Sequence, residues 1–181
     1  MSMFARFTDA ARETVAHAAR LAAGARPPAP RLTTGHLLLA LAETRDETVP
    51  ASLALDPAAL RRRLGAGPGD RDLLATLGID LDEVRRRAGA SASLWRMTRS
   101  PFRPLRVEVA GPGVLVPLAG GARKVIEVAQ HHARRRGALV EQSDLLRGLL
   151  ADARDESLTH LRAEGVNPAR LWRHLNDPHA A

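Results

Sequence analysis

The sequence predicts an all-α protein built as two pseudo-symmetric four-helix repeats, with an insertion in the first repeat and a short β-hairpin in the connector between them. Apolar residues recur at helical spacing in segments bounded by capping residues or by glycine and proline. The second half of the chain repeats the first in the same order. With 45% of its 181 residues hydrophobic, the chain can bury a core of its own.

Thr8 and Asp9 offer oxygens to start a first helix, whose apolar side is Ala11, Val15, Ala18, Ala19 and Ala22; Gly24 and the run Pro27-Pro28-Ala29-Pro30 end it. A second helix starts at Thr33 or Thr34 and runs to Leu41. It is apolar nearly all round, as a helix buried in a bundle must be. Residues 44–69 read as an insertion punctuated by Pro50, Pro57 and Pro68, where only 57–64 has room for one or two turns with proline at N1. Helices are expected over 70–77 and, after a turn at Gly78, from Asp80 to near Gly89.

Residues 90–104 read as a connector whose Trp95 and Phe102 fold back to cover the bundle, with a docking peptide as the alternative. The hairpin is expected from 105–109 and 113–116 around Gly111-Pro112. Residues 122–136 form an amphipathic helix that stops at Gly137, and 143–150 a short apolar one. Residues 155–163 break at Gly165, and Asn167-Pro168 opens a last helix that buries Leu171, Trp172 and Leu175.

The internal match fixes the boundaries. Ala11-Arg12 matches Ala122-Arg123 at an offset of 111, and His36-Leu37-Leu38 matches Asp144-Leu145-Leu146 at 108. Gly78-Ile79-Asp80 matches Gly165-Val166-Asn167 at 87. The falling offsets place the extra residues of the first repeat after its first helix and in the insertion. The expected organisation is one domain over 1–181, with repeat one at 3–89 (insertion 44–69), a connector at 90–115 and repeat two at 116–177.

Several functions are closed by composition. With no cysteine there is no disulfide framework, thiolate metal site or cysteine nucleophile, which suits a reducing compartment. A phosphate-binding loop needs a Gly-Lys-Ser or Gly-Lys-Thr ending, and the only lysine, Lys124, precedes Val125. No nucleophile elbow and no zinc-protease histidine pair is present, and His131-His132 are adjacent and splay apart on a helix. The expectation is a non-catalytic protein with no metal and no cofactor, in which His36 is structural. No signal peptide and no membrane-length apolar run is visible, which points to the cytoplasm.

The charge balance is 27 basic against 20 acidic residues, a formal +7. The triplets Arg61-Arg62-Arg63, Arg85-Arg86-Arg87 and Arg134-Arg135-Arg136 make a nucleic-acid-binding or regulatory protein the alternative reading, since phosphates reward clustered cations. Against it, each triplet lies on or at the end of a predicted helix. Aromatic residues are also only 3%, which leaves few platforms for stacked bases.

Four segments carry a resemblance to a known family. Residues 3–12 read MFARFTDAAR, 33–41 TTGHLLLAL, 77–84 a Leu-Gly-Ile turn with a capped helix, and 116–127 VPLAGGARKVIE. Together they resemble the N-terminal (Clp R) domain of Clp and Hsp100 ATPases, closest to the ClpC type, here as a stand-alone protein without the AAA+ modules. The resemblance implies a recognition module that acts as substrate adaptor or as decoy for Clp ATPase and protease machinery. Its ligands would be protein or peptide clients, including cyclic peptides. Carried over position by position, its ligand face is Phe4, Arg12, Val15, Leu118, Arg123 and Glu127, read as an exposed apolar anchor with a charged rim. Read locally, Phe4 is instead a hydrophobic staple packed on the first turn of helix one, and both roles can coexist. Leu118 stands where the family has phenylalanine. The family's phosphoarginine-binding glutamates correspond to Gly35 and Ser143, which supply no carboxylate, so that ligand is not expected.

Overall fold

Thr8 and Thr33 sit in extended backbone, and their side-chain oxygens accept N–H groups from Ala11 and His36, donors without a partner inside their own helices. They start α1 (Asp9–Gly24) and α2 (Thr34–Thr44) in a computed structural model that describes residues 3–25, 31–51, 53, 55–65, 94–99, 107–152 and 155–176. A 3-10 turn, Met3–Arg6, precedes α1. After α2 come α3 (Pro57–Arg63), β1 (Arg96–Arg99), β2 (Val107–Gly111), β3 (Val114–Pro117), α4 (Gly120–Arg135), α5 (Gln142–Leu150), α6 (Glu156–Ala163) and α7 (Pro168–Asn176). The helices expected at 70–77 and 80–89, the Gly78-Ile79-Asp80 match and Phe102 lie outside the described residues.

α1 packs on α2, α5 and the sheet, α4 packs on α5 and α2, and α6 and α7 close the α5 side. The buried side chains form one cluster that draws on every one of these elements. As expected, α3 has Pro57 at N1 and Asp56 as its cap. The segment around α3 is stitched to the core, because Val49, Leu53 and Leu60 are buried and the Asp46 N–H donates to Gln142.

The expectation of an all-α fold needs correction. β1, β2 and β3 form an antiparallel sheet in that order, with Arg96 opposite Ala110 and Glu108 opposite Pro117. The β2–β3 hairpin follows the expected pattern, but β1 does not announce itself: Arg-Met-Thr-Arg carries one apolar residue, too few for a period of two to show. Met97 nonetheless turns inward beside Val107, Val109 and Val116, and Trp95 lies buried against Gly111 under the guanidinium of Arg20.

Two isolated parallel bridges tie the halves of the chain together, Phe7 with Val140 and Leu32 with Leu118. Phe7 and Leu118 are 111 residues apart, and Leu32 and Val140 are 108 apart. The backbone bonds exchange in the same way. Thr8 N–H donates to Val140 and Val140 N–H to Arg6, while Ala119 N–H donates to Leu32 and Leu32 N–H to Pro117, at 2.7–2.9 Å. Each bridge joins the stretch before the first helix of one half to the stretch before the second helix of the other.

Candidate binding surface

The six residues singled out by the sequence divide by environment. Phe4 is 2% exposed and meets Phe7 edge to face, Val15 is fully buried, and Leu118 is 9% exposed beside Leu32. The expectation of an exposed Phe-Val-Leu anchor is therefore corrected: these three are core. Phe4 packs on Phe7 and the core, and Arg12 braces this turn: its Nη2 donates to the carbonyls of Phe4 and Phe7 while Nη1 pairs with Asp9 at 3.1 Å. Arg123 and Glu127 pair at 3.3 Å along the open side of α4 and stay partly exposed.

The positions Gly35 and Ser143 open α2 and α5, and both are covered. A Cβ on Gly35 would stand 2.7 Å from Leu64 Cδ2, so Leu64, just after α3, occupies the space a side chain there would need. Ser143 N–H donates to Thr48 of the inserted segment, and its hydroxyl lies between Glu141 and Arg147. The carboxylate of this neighbourhood sits one residue further on. Asp144 is fully buried and is held by Arg136 at 2.8 Å, Arg147 at 3.0 Å and the Glu141 N–H at 3.1 Å.

His36 is structural as expected, but by a route the sequence did not show. Its Nδ1 accepts the Thr33 N–H at 3.2 Å and so closes a capping box. Burial pushes the His36 imidazole below its ordinary pKa, and the charge of Glu156 partly offsets this. Burial also lowers His132, followed by the Arg147 charge, with Asp144 opposing. His17 Nε2 meets Glu43 at 2.5 Å, and Arg61 reaches the other oxygen at 2.6 Å, which joins α1, α2 and α3. Among the described residues, no group of three histidine or acidic side chains is arranged to hold a metal. No described helix is long and apolar enough to cross a membrane.

The arginine triplets are partly spent inside the protein. Arg61 pairs with Glu43, Arg63 with Glu164, and Arg136 with Glu141 and Asp144. Three of the six arginines in the two described triplets are thus committed to the chain's own carboxylates, which weakens the case for a phosphate-binding stripe.

No protein-family model and no curated protein sequence matches this chain. Among solved structures it is similar to the crystal structure of the N-terminal domain of the caseinolytic protease-associated chaperone ClpD from Arabidopsis thaliana. The TM-score is 0.51 at 19% identity, and the match covers 99% of this chain and 97% of that one. The chain has the fold of a Clp N-terminal domain.

Within this Clp fold, sequence reasoning missed the polar hub at Gln142. Its amide donates to Thr14 at 2.9 Å and to the Thr44 carbonyl at 2.8 Å, and its oxygen accepts from Asp46 at 2.8 Å. One fully buried side chain thereby satisfies groups from α1, α2 and the inserted segment. It also missed that Glu141 and Asp144 form a second capping box, at an offset of 108 from Thr33 and His36. The spacing was there to find, but neither box has the usual Ser/Thr-x-x-Glu pattern.

Proposed function

We propose that this chain is a non-catalytic Clp-type N-terminal module that binds protein or peptide clients, cyclic peptides among them, for a cytoplasmic Clp ATPase. It would act as an adaptor or as a decoy. The observation that carries this reading is the two-way coverage of the ClpD N-terminal domain, 99% and 97%, which leaves no large part of either chain unaccounted for. The two-repeat organisation, 3–89 and 116–177, belongs to the same reading, and the paired bridges at offsets of 111 and 108 support it.

In this reading the client face is formed by Arg12, Arg123 and Glu127, and the buried Phe4, Val15 and Leu118 are the floor that supports it from within the core. Truncating the floor would damage the core, so the test belongs on the rim. The immobilised chain and an Arg123→Glu, Glu127→Arg variant are exposed to lysate of the source cell in about 0.3 M salt, where exposed ion pairing is largely screened. The expected result is capture of Clp subunits or unfolded clients by the unaltered chain and their loss from the variant. Equal capture by both, or capture of nucleic acid alone, would overturn the proposal.

A further inference from the structure

The bridge between Phe7 and Val140 buries those two side chains, and the alternation of extended backbone turns their neighbours Arg6 and Leu139 outward. Leu139 is 50% exposed. The end of α4, which leads through Gly137 to Leu139 within a few residues, carries the exposed Arg134 and Arg135. Gly137, at φ +68°, reverses the chain through bonds from Ala138 N–H to Ala133 and from Gly137 N–H to Arg134. Arg136 is bound to Glu141 and Asp144, whereas among the described residues Arg6, Arg134 and Arg135 have no carboxylate partner.

The fold does not require these cations. A helix C-terminus favours positive charge, yet α1, the counterpart of α4 at an offset of 111, ends in Ala22-Ala23-Gly24 with no basic residue in its last turn. An apolar side chain left half open within a few residues of exposed guanidinium groups has the makings of a small protein contact, an apolar anchor with a charged rim.

We infer that this corner docks an acidic peptide segment, with an apolar side chain of the partner seated on Leu139 and its carboxylates on Arg6, Arg134 and Arg135. Guanidinium groups suit that role because they take carboxylates in a bidentate fork. A peptide is favoured over nucleic acid because Phe4, Phe7 and Trp95 are buried, Trp172 on α7 is the one described phenylalanine or tryptophan ring left partly open instead of in the expected core, and phosphates gain nothing from Leu139. This inference stands independently of the Clp reading.

The test uses the whole chain and a short fluorescein-labelled peptide of aspartate and glutamate with one central phenylalanine, read by anisotropy at near-physiological salt. Replacing Arg134→Gln and Arg135→Gln together is expected to weaken binding about tenfold. Leu139→Ser, or replacing the probe's phenylalanine by serine, is expected to cost about threefold to tenfold, and the two changes together no more than either alone. A single-stranded oligonucleotide of equal charge should bind more weakly than the peptide. Unchanged peptide affinity in both variants would overturn the inference. So would an oligonucleotide that binds as tightly and loses as much with the arginine variant. Circular dichroism checks that the surface variants stay folded, and Arg6→Gln, on the bridge stretch and not on the helix, serves as the second charge variant, expected to weaken peptide binding as well.

Discussion

The half built on α1 and α2 and the half built on α4 and α5 share one backbone plan and hold it with different chemistry. Before α2 the capping box is Thr33 with a histidine; before α5 it is Glu141 with Asp144, whose charge is neutralised by Arg136 and Arg147. Where α1 meets α2, position 40 carries a buried alanine; at the matching position of α5, Gly148 lets the helix approach the Val125 carbonyl of α4. The first helix of one half ends without a cation, and that of the other ends in arginines. The backbone bonds between the halves are common to both, and the side chains that satisfy caps and fill gaps are not.

That contrast can be broken most forcefully at the helix crossings. Gly148→Ala would place a Cβ 2.5 Å from the Val125 carbonyl oxygen and force α4 and α5 apart. The expected cost is about 3 kcal/mol in denaturant unfolding, against about 1 kcal/mol for Ala40→Gly in the other half, where only backbone freedom and a methyl group change. Equal costs would mean that the two crossings are alike after all.

The capping boxes come next. Asp144→Ala strips a buried carboxylate from Arg147 and the half-exposed Arg136 and should cost about 2 kcal/mol, while His36→Ala, which removes a neutral cap partner, should cost about 1 kcal/mol. A third pair separates a clamp from a surface contact. Arg12→Ala releases the carbonyls of Phe4 and Phe7 and should lower stability by about 1 kcal/mol. Its counterpart Arg123→Ala loses one exposed helix pair, worth about 0.3 kcal/mol.

The smallest effect is the share of the pH dependence that His36 contributes in the first half. His36 is held below its ordinary pKa, so the folded chain keeps it neutral while the unfolded chain takes up a proton near the ordinary value of about 6.5. The stability it contributes is complete above that value and is lost as pH falls through it toward the lower folded pKa. Thermal unfolding of the unaltered chain and of His36→Gln, at about pH 7.5 and about pH 5.5, should show the unaltered chain losing more, by a few tenths of a kcal/mol. His132 is present in both proteins and cancels. A larger acid loss in the variant would show that His36 does not carry the effect.

Much of the helical framework could be read from the residues. Thr8, Thr33, Pro57, Gly137 and Asn167-Pro168 act locally, so the elements they begin or end appear where expected. β1 was not legible, because a strand with one inward residue becomes recognisable only when β2 lies beside it. The candidate face was legible as a set of positions but not as a surface. Phe4 could be placed before α1, yet nothing in the local pattern said whether its ring would point out or be drawn in. That was decided by the core it packs against, Phe7 first.

By itself the sequence determined most of the helix starts and stops among the described residues and the absence of thiol chemistry. Caps, glycine turns and apolar spacing act within a few residues, and composition needs no fold at all. Only the tertiary structure decided that Phe4, Val15 and Leu118 are core, that Leu64 and Thr48 cover the starts of α2 and α5, that half of the described triplet arginines are spent on internal carboxylates, and that Leu139 stands open. Each of these depends on groups far apart in the chain, whose burial or pairing is set by which elements pack together, and no local pattern encodes that choice.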